Sequence, residues 1–192
     1  MSLVNRAKGI LLNPKAEWPV IDTEPATVGS LYTGYIIPLA AIPAVASVLG
    51  LSVIGISGFQ FPMSWTLKWA IGWYVLSLAM VFALALVIDL IAPSFSAQKN
   101  QIQALKVAAY GSTASWVAGV LLLIPSLGDL YYIVSLYSLF LLFLGGPILM
   151  RPPKDKEVVY GAVVAIAGAV LFGVLRVLHR EIVGFPVPFL MP

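Results

Sequence analysis

Asp89, Lys106, Tyr110 and Arg151 are the residues of this chain whose type and placement offer chemistry. Asp89 falls about one turn from the end of a long apolar run, where a carboxylate is costly unless it meets a cation or water. Lys106 and Arg151 stand at the same level on the ends of neighbouring runs, and Tyr110 lies one helical turn beyond Lys106. Such a set is either a structural ion pair or a site for an ion or proton; the ion pair of Asp89 with Lys106 or Arg151 is the favoured reading.

Other chemistries find no residues. The chain has no Cys, so disulfides, thiolate nucleophiles and cysteine metal sites are excluded together. His179 is the one imidazole; it adjoins Arg180 and Glu181, and the triplet reads as a solvated helix end. A serine nucleophile needs a base beside it, and aspartyl chemistry needs two carboxylates sharing a site. Only Asp89 lies within an apolar run; Asp129 belongs to a short Gly128-Asp129 turn. No enzyme activity, metal or cofactor is expected. Nucleic acid is not expected as a partner either, since no basic cluster is interleaved with aromatics.

The elements that must carry these residues are membrane spans. Of the 192 residues, 60% are hydrophobic and 10% charged, more apolar surface than a soluble domain of this size can hide. Crossing the hydrocarbon core takes about 20 apolar residues. Five runs qualify: Leu31 to Ile56, Leu67 to Ala92, Lys106 to Pro125, Leu130 to Met150 and Val158 to Leu178. They are too long, and too free of alternation, for barrel strands. The fold class is all-α: a polytopic five-helix transmembrane bundle preceded by an amphipathic interfacial helix. Residues 1–29 form the N-terminal interfacial segment, 30–180 the five-span domain and 181–192 a short tail.

An odd span number puts the termini on opposite sides. The N-terminal side collects Arg6, Lys8, Lys15, Lys99, Lys106, Arg151, Lys154 and Lys156, and the other side Lys68, Arg176 and Arg180. Eight against three places the N-terminus in the cytoplasm and the C-terminus outside.

Smaller patterns refine the bundle. Leu3, Ala7, Ile10 and Leu11 share a helical stripe that Asn13-Pro14 ends, with Asn5, Arg6 and Lys8 off it. Trp18 is expected at the cytoplasmic headgroups. Trp65, Trp69 and Trp73, with Tyr131 and Tyr132, read as an aromatic belt on the outer side rather than a ligand platform. Pro38, Pro43 and Gly145-Gly146-Pro147 should kink the first and fourth spans. Gly161, Ala165, Ala169 and Gly173 repeat every four residues down the fifth span, as do Gly111, Ser115 and Gly119 in the third. Small residues let helices approach closely, either within one chain or between two copies. Gly184-Phe185-Pro186-Val187-Pro188-Phe189 should leave the helix and graze the outer leaflet.

Certain segments resemble a known family. Ser135-Leu136-Tyr137-Ser138-Leu139-Phe140-Leu141-Leu142-Phe143-Leu144-Gly145-Gly146-Pro147-Ile148-Leu149-Met150, with Arg151-Pro152-Pro153-Lys154-Asp155-Lys156-Glu157 after it, is similar to the Leu-Tyr run, Gly-x-Pro-x-Leu-Met turn and Pro-x-Asp-Lys-Ala loop of the Yip (Ypt/Rab-interacting-protein domain) family. Asn13-Pro14-Lys15-Ala16-Glu17-Trp18 resembles the family's Asn-Pro-x-x-x-Trp segment, and Ala109-Tyr110-Gly111-Ser112-Thr113 its Ala-Tyr-Ser segment. The chain departs at Ala114, where members often carry Pro, and lacks the Asp-Leu-Tyr-Gly-Pro type sequence of eukaryotic members. The resemblance, to short prokaryotic members, implies five spans and a cytoplasmic N-terminus. It implies a non-enzymatic protein of a prokaryotic inner membrane, acting through helix packing, lipids or protein partners in membrane organisation or a trafficking-like role. Those partners are the bilayer, a second copy of the chain or another membrane protein. The alternative is a small transporter or channel with its site near Asp89, Lys106 and Tyr110.

Overall fold

The computed structural model describes residues 2–56 and 58–184. Two short helices come first, α1 (Leu3–Leu12) and α2 (Pro14–Thr23). The Ser2 hydroxyl accepts the Asn5 N–H and caps α1, and Pro14 restarts the chain as the first residue of α2, where its missing N–H costs nothing.

Five helices long and apolar enough to cross a membrane follow: Val28–Ile54, Met63–Phe95, Gln101–Leu123, Pro125–Met150 and Lys154–Val183. The described residues hold no sheet, only one isolated bridge between Ile56 and Phe59 in the first hairpin. The all-α, five-span architecture is as expected. The fifth helix runs through Val183, a few residues past its expected end, and the rest of the tail from Phe185 lies outside the described residues.

α1 and α2 fold back on each other as a hairpin along the third and fourth spans. Asp22, near the end of α2, bonds Arg151 at the end of the fourth span, while the Leu11 carbonyl at the turn accepts from Tyr137. Tyr137 and Arg151 are 14 residues apart on a mostly helical segment, about 20 Å of rise. The hairpin therefore reaches well into the bundle, and the stripe of α1 meets protein. Ala7 and Ile10 are buried, with Leu3 and Leu11 against the core. Trp18, expected at the headgroups, is fully buried. Gly145 makes the seat, since a Cβ there would come within 2.6 Å of the indole.

The spans break where backbone bonds are replaced, and mostly not at proline. The first span is a π-helix over Tyr32–Ile36, a wider turn that makes room ahead of Pro38, but it continues as α-helix through Pro43. The fourth span is α-helical through Pro147 and is interrupted at Leu136. Pro147 frees the Phe143 carbonyl, and that oxygen lies so close to Gly161 of the fifth span that a Cβ would sit 2.5 Å from it. The third span is interrupted at Ser112 without proline. There Ser112 and Thr113 donate to the Ala108 and Tyr110 carbonyls, and the Ser115 N–H donates to the Ser138 hydroxyl.

Small residues mark the closest approaches. Gly111 abuts Leu142 and Gly119 abuts Pro43, with the Ser115 hydroxyl 2.8 Å from Ser138 between them. On the fifth span the buried face is Tyr160, Gly161, Val164, Gly168, Leu175 and His179. Of the expected stripe only Gly161 lies on it; Ala165 is half-buried, and Ala169 and Gly173 are exposed. A strict four-residue repeat advances 40° per step on a 3.6-residue helix, so it winds off a packed face that alternates steps of three and four.

His179 is also relocated. It is fully buried, not a solvated end: its ring packs edge-on against Trp69 and Trp73, at 4.1 and 5.3 Å between centroids, and Nε2 lies 2.8 Å from the Trp69 carbonyl oxygen. Trp69 and Trp73 thus join the second span to the fifth, and Gly72 gives the room.

Candidate functional site

The third span presents its polar residues on one face. Asn100 caps it, accepting the Ile102 and Gln103 N–H groups, and Gln103, Lys106 and Tyr110 follow at steps of three and four. That face looks at α2. Gln103 donates to the Asp22 carbonyl and carboxylate, at 3.1 and 2.9 Å. Lys106, a residue 3% exposed, donates its ammonium to the carbonyls of Ile21 (2.9 Å), Glu24 (2.5 Å) and, more weakly, Asp22 (3.4 Å). These are carbonyls at the end of a helix, which lack partners along the helix and carry its negative pole. Lys106 has three donors for them.

Arg6 sits beside this cap. Arg6 is 4% exposed, and its guanidinium pairs with both Glu17 and Glu24. It also lies over the Tyr110 ring, 5.8 Å from the centroid. Tyr110 packs on Tyr35, whose hydroxyl is 2.7 Å from that of Thr113. Gly9 leaves room for Glu17, because a Cβ there would meet its carboxylate. Outside the core of the cluster, Arg151 pairs with Asp22 at 2.8 Å. Three cations thus face three carboxylates. A polar cavity of about 200 Å³ lies alongside, lined by Arg6, Glu24, Ser30, Tyr35, Lys106 and Tyr110.

Of the four candidates, Lys106 and Tyr110 come together here and Arg151 joins through Asp22. Asp89 does not. It forms no ion pair among the described residues, and its Oδ1 is buried without a hydrogen-bond partner. The second span packs with Ala85, Ile88 and Ala92; Asp89 follows Ile88 by one residue, 100° around the helix. The expected pairing with Lys106 or Arg151 is corrected: both cations are taken by α2 and the residue after it. On the residue before it, the Ile88 carbonyl accepts from the Tyr160 hydroxyl.

Sequence reasoning missed Arg6, Glu17, Asp22 and Glu24. One signal was available. Arg6 lies three residues after Leu3 and four before Ile10, inside the apolar stripe rather than beside it. A cation on a buried stripe calls for carboxylates, and Glu17 and Glu24 are seven residues apart on the adjoining segment.

The arrangement holds elements together and presents no nucleophile beside a base. Among the described residues no three His, Cys, Asp or Glu side chains group as metal ligands.

Comparison with known proteins bears on the same segments. Residues 8–175 match the family profile of the Yip1 domain, from α1 to the fifth span. The chain belongs to the Yip1 family. A protein named "Inner membrane protein YohC", from Escherichia coli strain K12, is 28% identical over 185 residues, which cover 92% of this chain and 95% of the relative. The protein of that name from Escherichia coli O6:H1 strain CFT073 matches to the same extent. No solved structure matches. The matched Yip1 domain includes most of the α1–α2 hairpin and every residue of the polar cluster except Arg6. With five membrane-spanning helices and these relatives, the chain is an integral protein of the inner membrane.

Proposed function

We propose that the protein is a non-enzymatic membrane-organising protein, acting through lipids and membrane-protein partners, with its N-terminus in the cytoplasm. The observation that carries this reading is the use made of the ionisable residues. Arg6, Lys106 and Arg151 bind the α1–α2 hairpin and the residue after it, so the candidate transport residues serve as a clamp. Orientation rests on the cation count. With Arg6 and Lys106 buried, six cations remain on the N-terminal side against three on the other, still the cytoplasmic bias.

Reconstituted vesicles test the choice between this reading and transport. The expected outcome is proton and potassium flux equal to protein-free vesicles between about pH 3 and 8, a range that brackets ordinary carboxylate and imidazole titration. A pH-dependent flux that Asp89→Asn abolishes would overturn the proposal in favour of a transporter built around the unpartnered carboxylate.

A further inference from the structure

In the half of the bundle away from the Asp22–Arg151 ion pair, a cavity of about 340 Å³ lies among the spans. Five serines line it, yet their hydroxyls are already bonded. Ser77, Ser112 and Ser135 donate to the Tyr74, Ala108 and Tyr131 carbonyls of their own helices at 2.7–2.8 Å, and Ser115 and Ser138 bond each other at 2.8 Å. The rest of the wall is mainly aliphatic and aromatic, so the interior offers an occupant an apolar surface. An apolar cavity of about 150 Å³ stays dry and takes up benzene; this one has room for a chain.

The mouth opens sideways. Its rim is Tyr132 and Leu136 of the fourth span and Ala169 and Arg176 of the fifth, all exposed. The fifth span packs along Tyr137–Met150 and hardly touches the Gly128–Ser135 segment on the other side of the interruption at Leu136. A wedge facing lipid is left between them. Arg176 stands at that wedge, its guanidinium 4.6 Å from the centroid of the Tyr132 ring, and forms no ion pair among the described residues. It is seven residues from the end of the helix, about 10 Å of rise, within reach of the headgroups by extending its side chain.

We propose that this cavity is a specific lipid site. One acyl chain of an anionic glycerophospholipid enters between the fourth and fifth spans, and its phosphate is held by Arg176. An apolar interior, a lateral mouth and an unpaired cation at the rim match the two ends of that molecule. A zwitterionic lipid offers the same chain without the net charge, and so binds more weakly.

Native mass spectrometry of the full chain, with phosphatidylglycerol and phosphatidylethanolamine in competition, tests the site. The parent should retain one lipid, preferring phosphatidylglycerol about five-fold, the worth of one interfacial cation. Ala169→Phe fills the mouth from an exposed position and should remove the retained lipid while thermal stability holds. Arg176→Gln should keep one lipid and reduce the preference to about one. Arg180→Gln, one turn further and off the rim, should leave the preference as in the parent. A ladder of adducts without preference, or retention unmoved by Ala169→Phe, would overturn the proposal. So would a loss of preference in Arg180→Gln equal to that in Arg176→Gln, since a diffuse surface charge would then suffice.

Discussion

Lys106 closes the end of α2 with an ammonium, which an apolar side chain cannot replace. Lys106→Met strands the carbonyls of Ile21 and Glu24 beneath the surface. The expected loss is about 2–3 kcal/mol, the worth of charge-assisted hydrogen bonds. Asp89→Asn should change stability by no more than about 0.5 kcal/mol, because no cation loses its partner. Thermal unfolding of both variants in one detergent reads the contrast; equal losses would mean that Asp89 does meet Lys106. Arg6 extends the logic. Arg6→Met leaves Glu17, 12% exposed, without its cation, at a cost of about 3 kcal/mol. Glu24, 41% exposed, contributes less because water screens it. Arg6→Met with Glu17→Leu should recover part of the loss, since a buried pair exchanged for apolar groups is often neutral.

Among the elements, the α1–α2 hairpin is seated against the fourth span at Gly145. Gly145→Ala would put a methyl group against the Trp18 ring, a conflict worth about 1–3 kcal/mol of overpacking. Hydrogen exchange should then speed up across Leu3–Thr23 and leave the second and fifth spans as they are. Uniform acceleration would show that the hairpin and the bundle open as one unit. Between the fourth and fifth spans the critical residue is Gly161, whose hydrogen faces the carbonyl freed by Pro147. Gly161→Leu should destabilise by at least that much, whereas Gly173→Ala, with nothing within 4 Å of its Cβ, should be neutral or slightly stabilising through helix propensity. Thermal stability of the pair measures which part of the small-residue stripe packs within one chain.

For the whole molecule, the proposed orientation rests on the cation distribution. A reporter active only outside the cytoplasm should work when fused after Pro192 and fail after Lys154. Activity at both positions would contradict the odd number of spans that the helices display. The same bias gives the polar cluster its side. On the proposed orientation, the ion pair of Arg151 with Asp22 lies at the cytoplasmic end of the fourth span, and Arg176 with the lateral cavity faces the opposite leaflet.

The sequence by itself determined the number of spans, their order and the helical class. These follow from local quantities, since about 20 successive apolar residues must cross the hydrocarbon and a backbone in lipid must satisfy itself within its own helix. The break between α1 and α2 at Asn13-Pro14 was legible for the same reason, as proline acts on its neighbours. The partners of the charges were not legible. Asp22 and Arg151 are 129 residues apart, and their meeting depends on α2 lying along the fourth span with Trp18 in the space left by Gly145. Asp89 and Lys106 shared a membrane level, but level fixes only depth; the direction in which a side chain leaves its helix is decided by which faces pack. Only the tertiary structure decided that Lys106 turns to the hairpin, that His179 is enclosed by Trp69 and Trp73, and that Arg176 is left at the mouth of a cavity.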